Sequence, residues 1–426
     1  MDFKTLGLSD VLSQSIKSVG YTQPTPVQEQ AIPIILQGKD LIAGAQTGSG
    51  KTAAFLLPLI DRLHKGTLVK SNHVFSLILV PTRELAIQIE ESAEQYIQDL
   101  DVRTATAYGG VKINPQMMKC RPGVDILIAT PGRLLDLYHQ NAIKFEQIHT
   151  LILDEADRML NLGFSIDIQK ILKLLPNKRQ TLLFSATFPS ELKELTHNVT
   201  KNAHALLINP EETTTKEIEH YLYPVDKKQK SPLLASLIHD NQWDQVLVFI
   251  KTKRDANILQ GFLEDQGLQA GAIHSDKSQS IRNRTLAEFK AGKLQVLVAT
   301  DLLARGLDID SLPHVVNYHL PKVAEDYTHR IGRTGRAGQS GVAISLVCAT
   351  EHEALDKTEQ QIQKHIERRV HPDYVPTNEL PDSKEIKPLK KKKPKKPKKN
   401  QDQLKVDQST CNNPSENKPK TNPWAK

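Results

Sequence analysis

Ala45-Gln46-Thr47-Gly48-Ser49-Gly50-Lys51-Thr52 is the stretch on which the reading of this chain turns. A strand-like run, Asp40 to Ala43, precedes it, and a helix-like run, Ala53 to Leu63, follows. Strand, glycine-rich turn, Lys-Thr and helix together form the context that a phosphate-binding loop requires. Gly48 and Gly50 let the backbone curl so that its N–H groups face phosphate oxygens, and the helix N-terminus adds a partial positive charge. Lys51 would reach the β- and γ-phosphates, and Thr52 would place a hydroxyl on Mg²⁺. The general pattern asks for Gly at the first position, where this chain has Ala45. The competing reading is a glycine-rich turn with a chance Lys-Thr after it.

A partner for the loop lies about a hundred residues downstream. Thr150 to Leu153 is an apolar run of the kind found in buried parallel strands, and it ends directly in Asp154-Glu155-Ala156-Asp157. Two carboxylates at the end of such a strand are costly unless they face a cation or a ligand. A phosphate-binding loop supplies the reason: one carboxylate to hold Mg²⁺, the other to orient or deprotonate water. A solvated acidic turn explains a lone Asp-Glu pair equally well, but not its partnership with the loop.

The length of 426 residues suits two core domains plus extras, and 38% hydrophobic residues suffice for globular cores. No apolar run approaches the roughly 20 residues of a membrane span. Met1-Asp2-Phe3-Lys4 has no signal-peptide hydrophobic region behind it. Cys120, Cys348 and Cys411 are far apart and lack metal-ligand spacing, which suggests a reducing compartment. The expected location is cytoplasmic. Lys384 to Lys399 holds ten Lys against one Glu, a local +9, so the rest of a chain of net charge +7 carries −2. A nucleic-acid site in the body must therefore come from local arrangement rather than bulk charge.

Along the first half, an amphipathic helix is expected over Ser9 to Val19. Gly20-Tyr21-Thr22-Gln23-Pro24-Thr25-Pro26-Val27-Gln28 follows, with two prolines that stiffen it, and Gln28 opens a helix to about Leu36. A ring and an amide can together read adenine, although on these residues alone Tyr21 reads as a packed side chain. Further strands are expected over Ser76–Val80, Thr104–Tyr108, Asp125–Ala129, Thr181–Phe184 and Ala205–Ile208. Polar clusters stand at several strand ends: Pro81-Thr82-Arg83-Glu84-Leu85, Gly109-Gly110, Thr130-Pro131-Gly132-Arg133 and Ser185-Ala186-Thr187. Strands alternating with helices argue a parallel α/β sheet, whose ligands gather at the carboxyl ends of strands.

A polar stretch from Pro210 onward reads as a linker. A second α/β series follows, with strands over Gln245–Ile250, Gln269–Ile273, Gln295–Ala299, Val315–Tyr318 and Val342–Val347 and no second Gly-Lys-Thr. It carries His274-Ser275-Asp276-Lys277-Ser278-Gln279 with Arg282, then Thr300 to Asp308, then His329 to Arg336. Arg330, Arg333 and Arg336 are three apart, which on a helical turn places them on one side, where phosphate is the natural partner. Past Glu351 a polar helix is expected to about Arg369, ended by His371-Pro372. From Asp373 the chain is too poor in apolar residues to offset its ordering cost, and disorder is expected.

These residues, over positions 1 to 350 and in order, resemble the DEAD-box RNA helicases of superfamily 2. Gly20 to Gln28 is similar to the Q motif, with Phe3 as its upstream aromatic; Ala45 to Thr52 is similar to motif I, in which this family regularly has Ala first. Pro81 to Leu85 resembles motif Ia, Gly109-Gly110 the GG motif, Thr130 to Arg133 motif Ib, Asp154 to Asp157 motif II and Ser185 to Thr187 motif III. Val248-Phe249-Ile250, Thr300 to Asp308 and His329 to Arg336 resemble motifs IV, V and VI. Leu312 to Tyr318 and the Lys-rich tail resemble the bacterial RhlE-type subgroup. Ser275 departs from the Gly that many relatives have after the motif histidine.

The resemblance implies two RecA-like domains in tandem, expected at 1–209 and 218–372, a linker at 210–217, and a disordered basic tail at 373–426. It implies ATP and Mg²⁺. Phe3, Tyr21 and Gln28 would select adenine, and Ala45, Gln46, Thr47, Gly48, Ser49, Gly50, Lys51 and Thr52 would hold the phosphates. Asp154 would join Thr52 on the metal, Glu155 would handle the attacking water, and Arg333 and Arg336 would be arginine fingers. Gly306 and Asp308 would lie at the nucleotide. RNA would lie on Pro81, Thr82, Arg83, Gly110, Thr130, Pro131, Gly132 and Arg133 in the first domain and on Gln279, Arg282 and Thr300 in the second. Such backbone contacts carry little sequence information. Ser185 and Thr187 would couple the two sites. Ribosomal precursors or RNA-decay assemblies are the expected partners, and no membrane. An ATP-gated RNA clamp and a DNA helicase remain rival readings.

Overall fold

Runs that are apolar on both faces are stable only inside a sheet covered on both sides. The computed structural model places every such expected run in one of two parallel sheets. It describes residues 2–387 except 46, 47, 65, 67, 99, 201, 208–217, 302–311 and 336–340. Gln46, Thr47, Gly306, Asp308, Arg336, the expected linker and the chain beyond residue 387 therefore lie outside the described residues.

The first sheet contains β1 (Leu41–Gly44), β2 (Val74–Leu79), β3 (Thr104–Ala107), β4 (Val124–Ala129), β5 (Thr150–Leu153), β6 (Gln180–Ser185) and β7 (His204–Leu207), in spatial order β3-β4-β2-β5-β6-β1-β7. The second contains β8 (Ile218–Pro224), β9 (Val246–Ile250), β10 (Ala270–Ile273), β11 (Val296–Thr300), β12 (His314–Asn317), β13 (Gly341–Val347) and β14 (Glu367–Arg368), in the order β10-β11-β9-β12-β13-β8-β14. These are two RecA-like α/β halves, and both belong to one compact unit, Met1–Ile386.

Strand alternation divides the core of each half into two layers. Ile78, Ile152 and Phe184 point into one apolar layer of the first sheet, with Phe55 and Ile32 from the covering helices. Their chain neighbours Leu77, Leu79, Leu151 and Leu183 point into the other, against Leu134 and Ile168. In the second half Phe249 and Leu297 face one layer, and Val248 and Val298 the opposite one. Every strand of each sheet is parallel to its neighbours, so the loops after the strands collect along one edge.

The chain before β1 is fastened to this frame. Phe3 is buried, and the backbone N–H of Ser9 donates to Asp61 Oδ1 on the helix Lys51–Leu63 at 2.9 Å. The helix Pro26–Leu36 begins two residues earlier than expected. Thr25 caps it and Pro26 occupies its first turn, where a proline lacks no needed hydrogen bond.

Other expectations are corrected. β8, which the sequence reading did not find, contains Glu219, His220 and Pro224, and its buried residues Ile218, Tyr221 and Leu222 do not alternate. The helix after Glu351 is His352–Ile362 and stops well before Arg369. Gln363 adopts φ 54°, and the buried Glu359 carboxylate accepts the Ile366 N–H at 2.9 Å, turning the chain back to form β14. The segment from Asp373 to Lys387 was expected to lack packing, yet Leu380 is buried, Thr377 N donates to Asp226 Oδ2 at 2.8 Å, and Lys384 pairs with Asp356 at 3.1 Å. Isolated contacts with the folded body hold this stretch in place of an apolar face of its own.

Candidate active site

The turn after β1 is locked from the side by the proline-rich stretch. Thr25 Oγ1 donates to Ser49 O at 2.8 Å, and Gln28 Nε2 donates to Gly50 O at 3.1 Å. Gln28 Oε1 accepts from Thr25 N at 2.9 Å, so both ends of this fully buried amide are engaged. Each end keeps one further bonding position, and any reading of a base would use those. Gly50 has φ 88°, and a Cβ there would stand 2.4 Å from Gln28 Nε2. This turn therefore requires glycine twice over. Tyr21 stands edge-on to Phe3 and Tyr96 and accepts a hydrogen bond from the Tyr96 hydroxyl at 3.1 Å.

Lys51 opens the helix Lys51–Leu63 and is 7% exposed; its Nζ has no hydrogen-bond partner among the described residues. Across from it, Asp154 ends β5. Burial pushes its carboxyl up to about 6, with Lys51 pulling the other way. Glu155 adopts φ 49°, ψ 49° and donates its backbone N–H to Asp154 Oδ1 at 2.9 Å. Burial alone would raise the Glu155 carboxyl, but Arg158 and Lys51 outweigh it and hold the group below the usual carboxylate range. Asp157 faces the next strand end: its Oδ2 accepts from Thr187 N at 3.1 Å and from Thr187 Oγ1 at 2.6 Å. Ser185 Oγ donates to Thr187 O at 2.7 Å, which joins the acidic tetrad to the end of β6.

Two cavities meet at Lys51, Glu155 and Arg333. One, of about 420 Å³, is lined also by Tyr21, Gly48, Gly50, Thr52, Gln95 and Asp154. The other, of about 330 Å³, is lined also by Asp157, Arg158, Thr187, Phe188, Val323 and His329. Arg333 comes from the second half and is almost fully buried. The expectation that Arg330 and Arg333 share a helical face fails, because the helix Glu325–Ile331 ends between them. Arg330 turns inward instead. Its Nε and Nη2 bond both oxygens of Asp301 at 2.6 and 2.7 Å, and its Nη1 bonds Asn317 Oδ1 at 2.9 Å and His319 O at 2.6 Å. A carboxylate just past the end of β11, rather than phosphate, thus partners Arg330.

The residues expected at RNA line the carboxyl edge of both sheets. Arg83 Nη1 approaches Gln279 Oε1 at 3.4 Å, and Arg282 pairs with Glu84 at 2.5 Å, so the two halves touch here. Gly110 lies under Arg83, and a Cβ there would come within 2.4 Å of its guanidinium. Thr82 caps the helix Arg83–Tyr96 after Pro81, and Thr130 precedes the helix Pro131–His139, in which Gly132 lies. Arg133 is held by Gln116 Oε1 at 2.8 Å and Val111 O at 3.0 Å. Thr300 ends β11. Sequence reasoning did not single out Arg158, Glu84 or Asp301 for a role. The three-residue spacing of Glu155 and Arg158 was the available signal for the first.

A family model described as DEAD/DEAH box helicase matches residues 25–195, and one described as helicase conserved C-terminal domain matches residues 229–338. The ATP-dependent RNA helicase CshA of Listeria monocytogenes is 42% identical over 86% of this chain and 69% of its own length. The DEAD-box ATP-dependent RNA helicase RhpA of Helicobacter pylori is 40% identical over 86% of this chain and 73% of its own length. Among solved structures, S. cerevisiae Dbp5 bound to RNA and ADP BeF3 superposes with a TM-score of 0.78 at 30% identity, covering 87% of this chain and 96% of that one.

Proposed function

The chain belongs to the DEAD-box family of ATP-dependent RNA helicases, and on that premise we propose how its residues divide the work. ATP occupies the larger cavity. Tyr21, backed by Phe3, and Gln28 are assigned to adenine by their motif, with Gln28 behind the phosphate turn rather than on the cavity wall. Gly48, Ser49 and Gly50 meet the phosphates and Lys51 pairs with them, and Ala45, Gln46 and Thr47 are assigned to the same phosphates by their motif. Glu155 takes a proton from the attacking water, while Arg333 stabilises charge on the transferring phosphoryl group from the other half. Arg336, Gly306 and Asp308 are assigned to the same nucleotide by their motifs. Hydrolysis then waits for the two halves to meet, because neither carries both the carboxylates and the arginines.

The observation that carries this reading is Lys51, a buried ammonium without a hydrogen-bond partner among the described residues. Asp154 and Glu155 feel its charge without bonding it, so its donors are left for an oxyanion, and a polyphosphate supplies one. The donor set also fits Mg²⁺. Thr52 and Asp154 line the cavity and supply hard oxygens, the ligand type that Mg²⁺ takes. Mg²⁺ held by one or two protein oxygens and by phosphates would neutralise charge on the departing phosphate.

We assign the RNA path to Pro81, Thr82, Arg83, Gly110 and Thr130 to Arg133, continued by Gln279, Arg282 and Thr300. In this structure Arg83 and Arg282 bond protein groups, so RNA must displace or share those contacts. Ser185 and Thr187, tied to Asp157, connect that path to the acidic tetrad. We place the protein near the RhlE-type subgroup, in the cytoplasm, acting on ribosomal precursors or in RNA-decay assemblies, with the Lys-rich run adding RNA affinity without sequence preference. The test is a pair of variants. Lys51→Ala should lose ATP binding or turnover, and Glu155→Gln should bind ATP and RNA while hydrolysing little. Native turnover in either would overturn the corresponding role, and RNA binding without strand separation by the unaltered protein would favour a clamp.

A further inference from the structure

We propose that Arg158 is a positioning residue for hydrolysis, holding the Glu155 carboxylate by one oxygen so that the other is aimed at the attacking water. The proposal rests on the assignment of Glu155 as the water-handling group. Arg158 Nη1 donates to Glu155 Oε2 at 3.1 Å, with the two side chains 7% and 13% exposed. A surface pair at this spacing would contribute little and swing freely. This pair is enclosed. Arg158 lies on the helix Ala156–Asn161 and lines the smaller cavity together with Lys51, Glu155 and Arg333.

Burying a guanidinium is costly. Glu155 offsets part of that cost by attraction and by its hydrogen bond, Arg333 opposes it, and Glu84, itself paired with Arg282 of the second half, adds a smaller attraction. Arg158 is thus enclosed on its helix with Glu155 as its bonded partner. The left-handed backbone of Glu155 sets where its side chain leaves the strand end, but several rotamers remain open from there. A bond to Oε2 selects one of them. Oε1 is then the oxygen able to accept the proton from water, and the distance to that water is set by a group that never touches it. Misplacement of a reacting group by about 1 Å costs on the order of 100-fold in rate.

The experiment uses the full chain with saturating poly(U) RNA. Arg158→Met should lower kcat on the order of 10- to 100-fold while leaving the KM for ATP and nucleotide affinity nearly unchanged. Arg158→Lys, which keeps the charge but loses the fork geometry, should recover part of the rate. In a Glu155→Gln background, under single-turnover conditions, Arg158→Met should have little further effect, because no carboxylate remains to be held. Thermal melts identify a variant that fails to fold, in which case the Lys variant and its own cycle with Glu155→Gln decide. Arg158→Met within about twofold of the native kcat would overturn the proposal, as would an equal penalty in both backgrounds. A Glu155→Gln protein that turns over at the native rate would instead overturn the assignment on which the proposal rests.

Discussion

Asp301→Ala tests whether Arg330 is a structural strut rather than a phosphate contact. Arg330 makes four hydrogen bonds, and two of them go to the Asp301 carboxylate. The guanidinium is 1% exposed, so its charge stays buried when that carboxylate is removed. Removing one partner of a buried pair costs about 3–5 kcal/mol. The Asp301 side chain is 32% exposed, so water can reach part of the vacated space, and a loss of roughly 2–4 kcal/mol is expected. For a domain of this size that corresponds to a fall of roughly 5–15 °C in its melting temperature. Trp243 is buried in the second half and stacks on His314 at 4.4 Å, so its fluorescence reports that half when the other tryptophan is removed by Trp424→Phe. The double variant Asp301→Leu with Arg330→Met should be less destabilised than Asp301→Ala, since no charge is then left unpaired. Turnover should fall as well, because the helix end that Arg330 anchors also delivers Arg333. A stability loss below about 1 kcal/mol would refute the reasoning.

Gly50→Ala should weaken ATP binding on the order of tenfold, with RNA affinity in the absence of nucleotide preserved, because the new methyl group must push Gln28 off the phosphate turn. Nucleotide titration of the purified variant checks this, and native affinity would show that the Gln28 bond does not shape the turn. His319 supplies a pH dependence. Burial, aided by Lys230, depresses its ring from the ordinary histidine value of 6.5 to about 4. The folded protein thus binds fewer protons than the unfolded chain between those values, so stability is complete above pH 6.5 and is lost as pH falls towards 4. Allowing for the partly solvated ring, the loss is on the order of 1–2 kcal/mol. Urea unfolding at pH 7 and pH 5, followed through Trp243, should show it. A His319→Asn variant should be less sensitive to acid, and an unchanged dependence would assign the effect to other groups.

Much of the architecture was legible because its signal is local. An apolar run such as Leu151-Ile152-Leu153, with buried layers on both sides, has few alternatives to a central parallel strand. The residues that escaped notice depend on distant partners. β8 offers Ile218, Tyr221 and Leu222 among charged and aromatic neighbours, and only its place between β13 and β14 makes it a strand. Arg330 belongs to an arginine series that suggested one phosphate-facing surface, yet Asp301, Asn317 and His319 from other elements draw it inward. Gln28 was legible as an amide beside a nucleotide site, but its bond to Gly50 O needed the fold. The Glu84–Arg282 pair joins residues nearly two hundred positions apart, beyond the reach of any spacing rule.

The strand order also dictates a timetable for synthesis. β1, which leads into the phosphate turn, has β6 and β7 as its two neighbours, and Ala45 N donates to Ser185 O across that seam. The first of those partners to be made, β6, comes about 140 residues after β1. At the usual pace of translation that is a wait of roughly 7–30 s. Throughout it, an apolar strand on the ribosome has neither of its final neighbours. β8 repeats the arrangement, since both its partners, β13 and β14, come at the far end of the second half. Each half therefore closes only when its last strands emerge, and a nascent chain paused before Ser185 cannot yet have a finished nucleotide pocket.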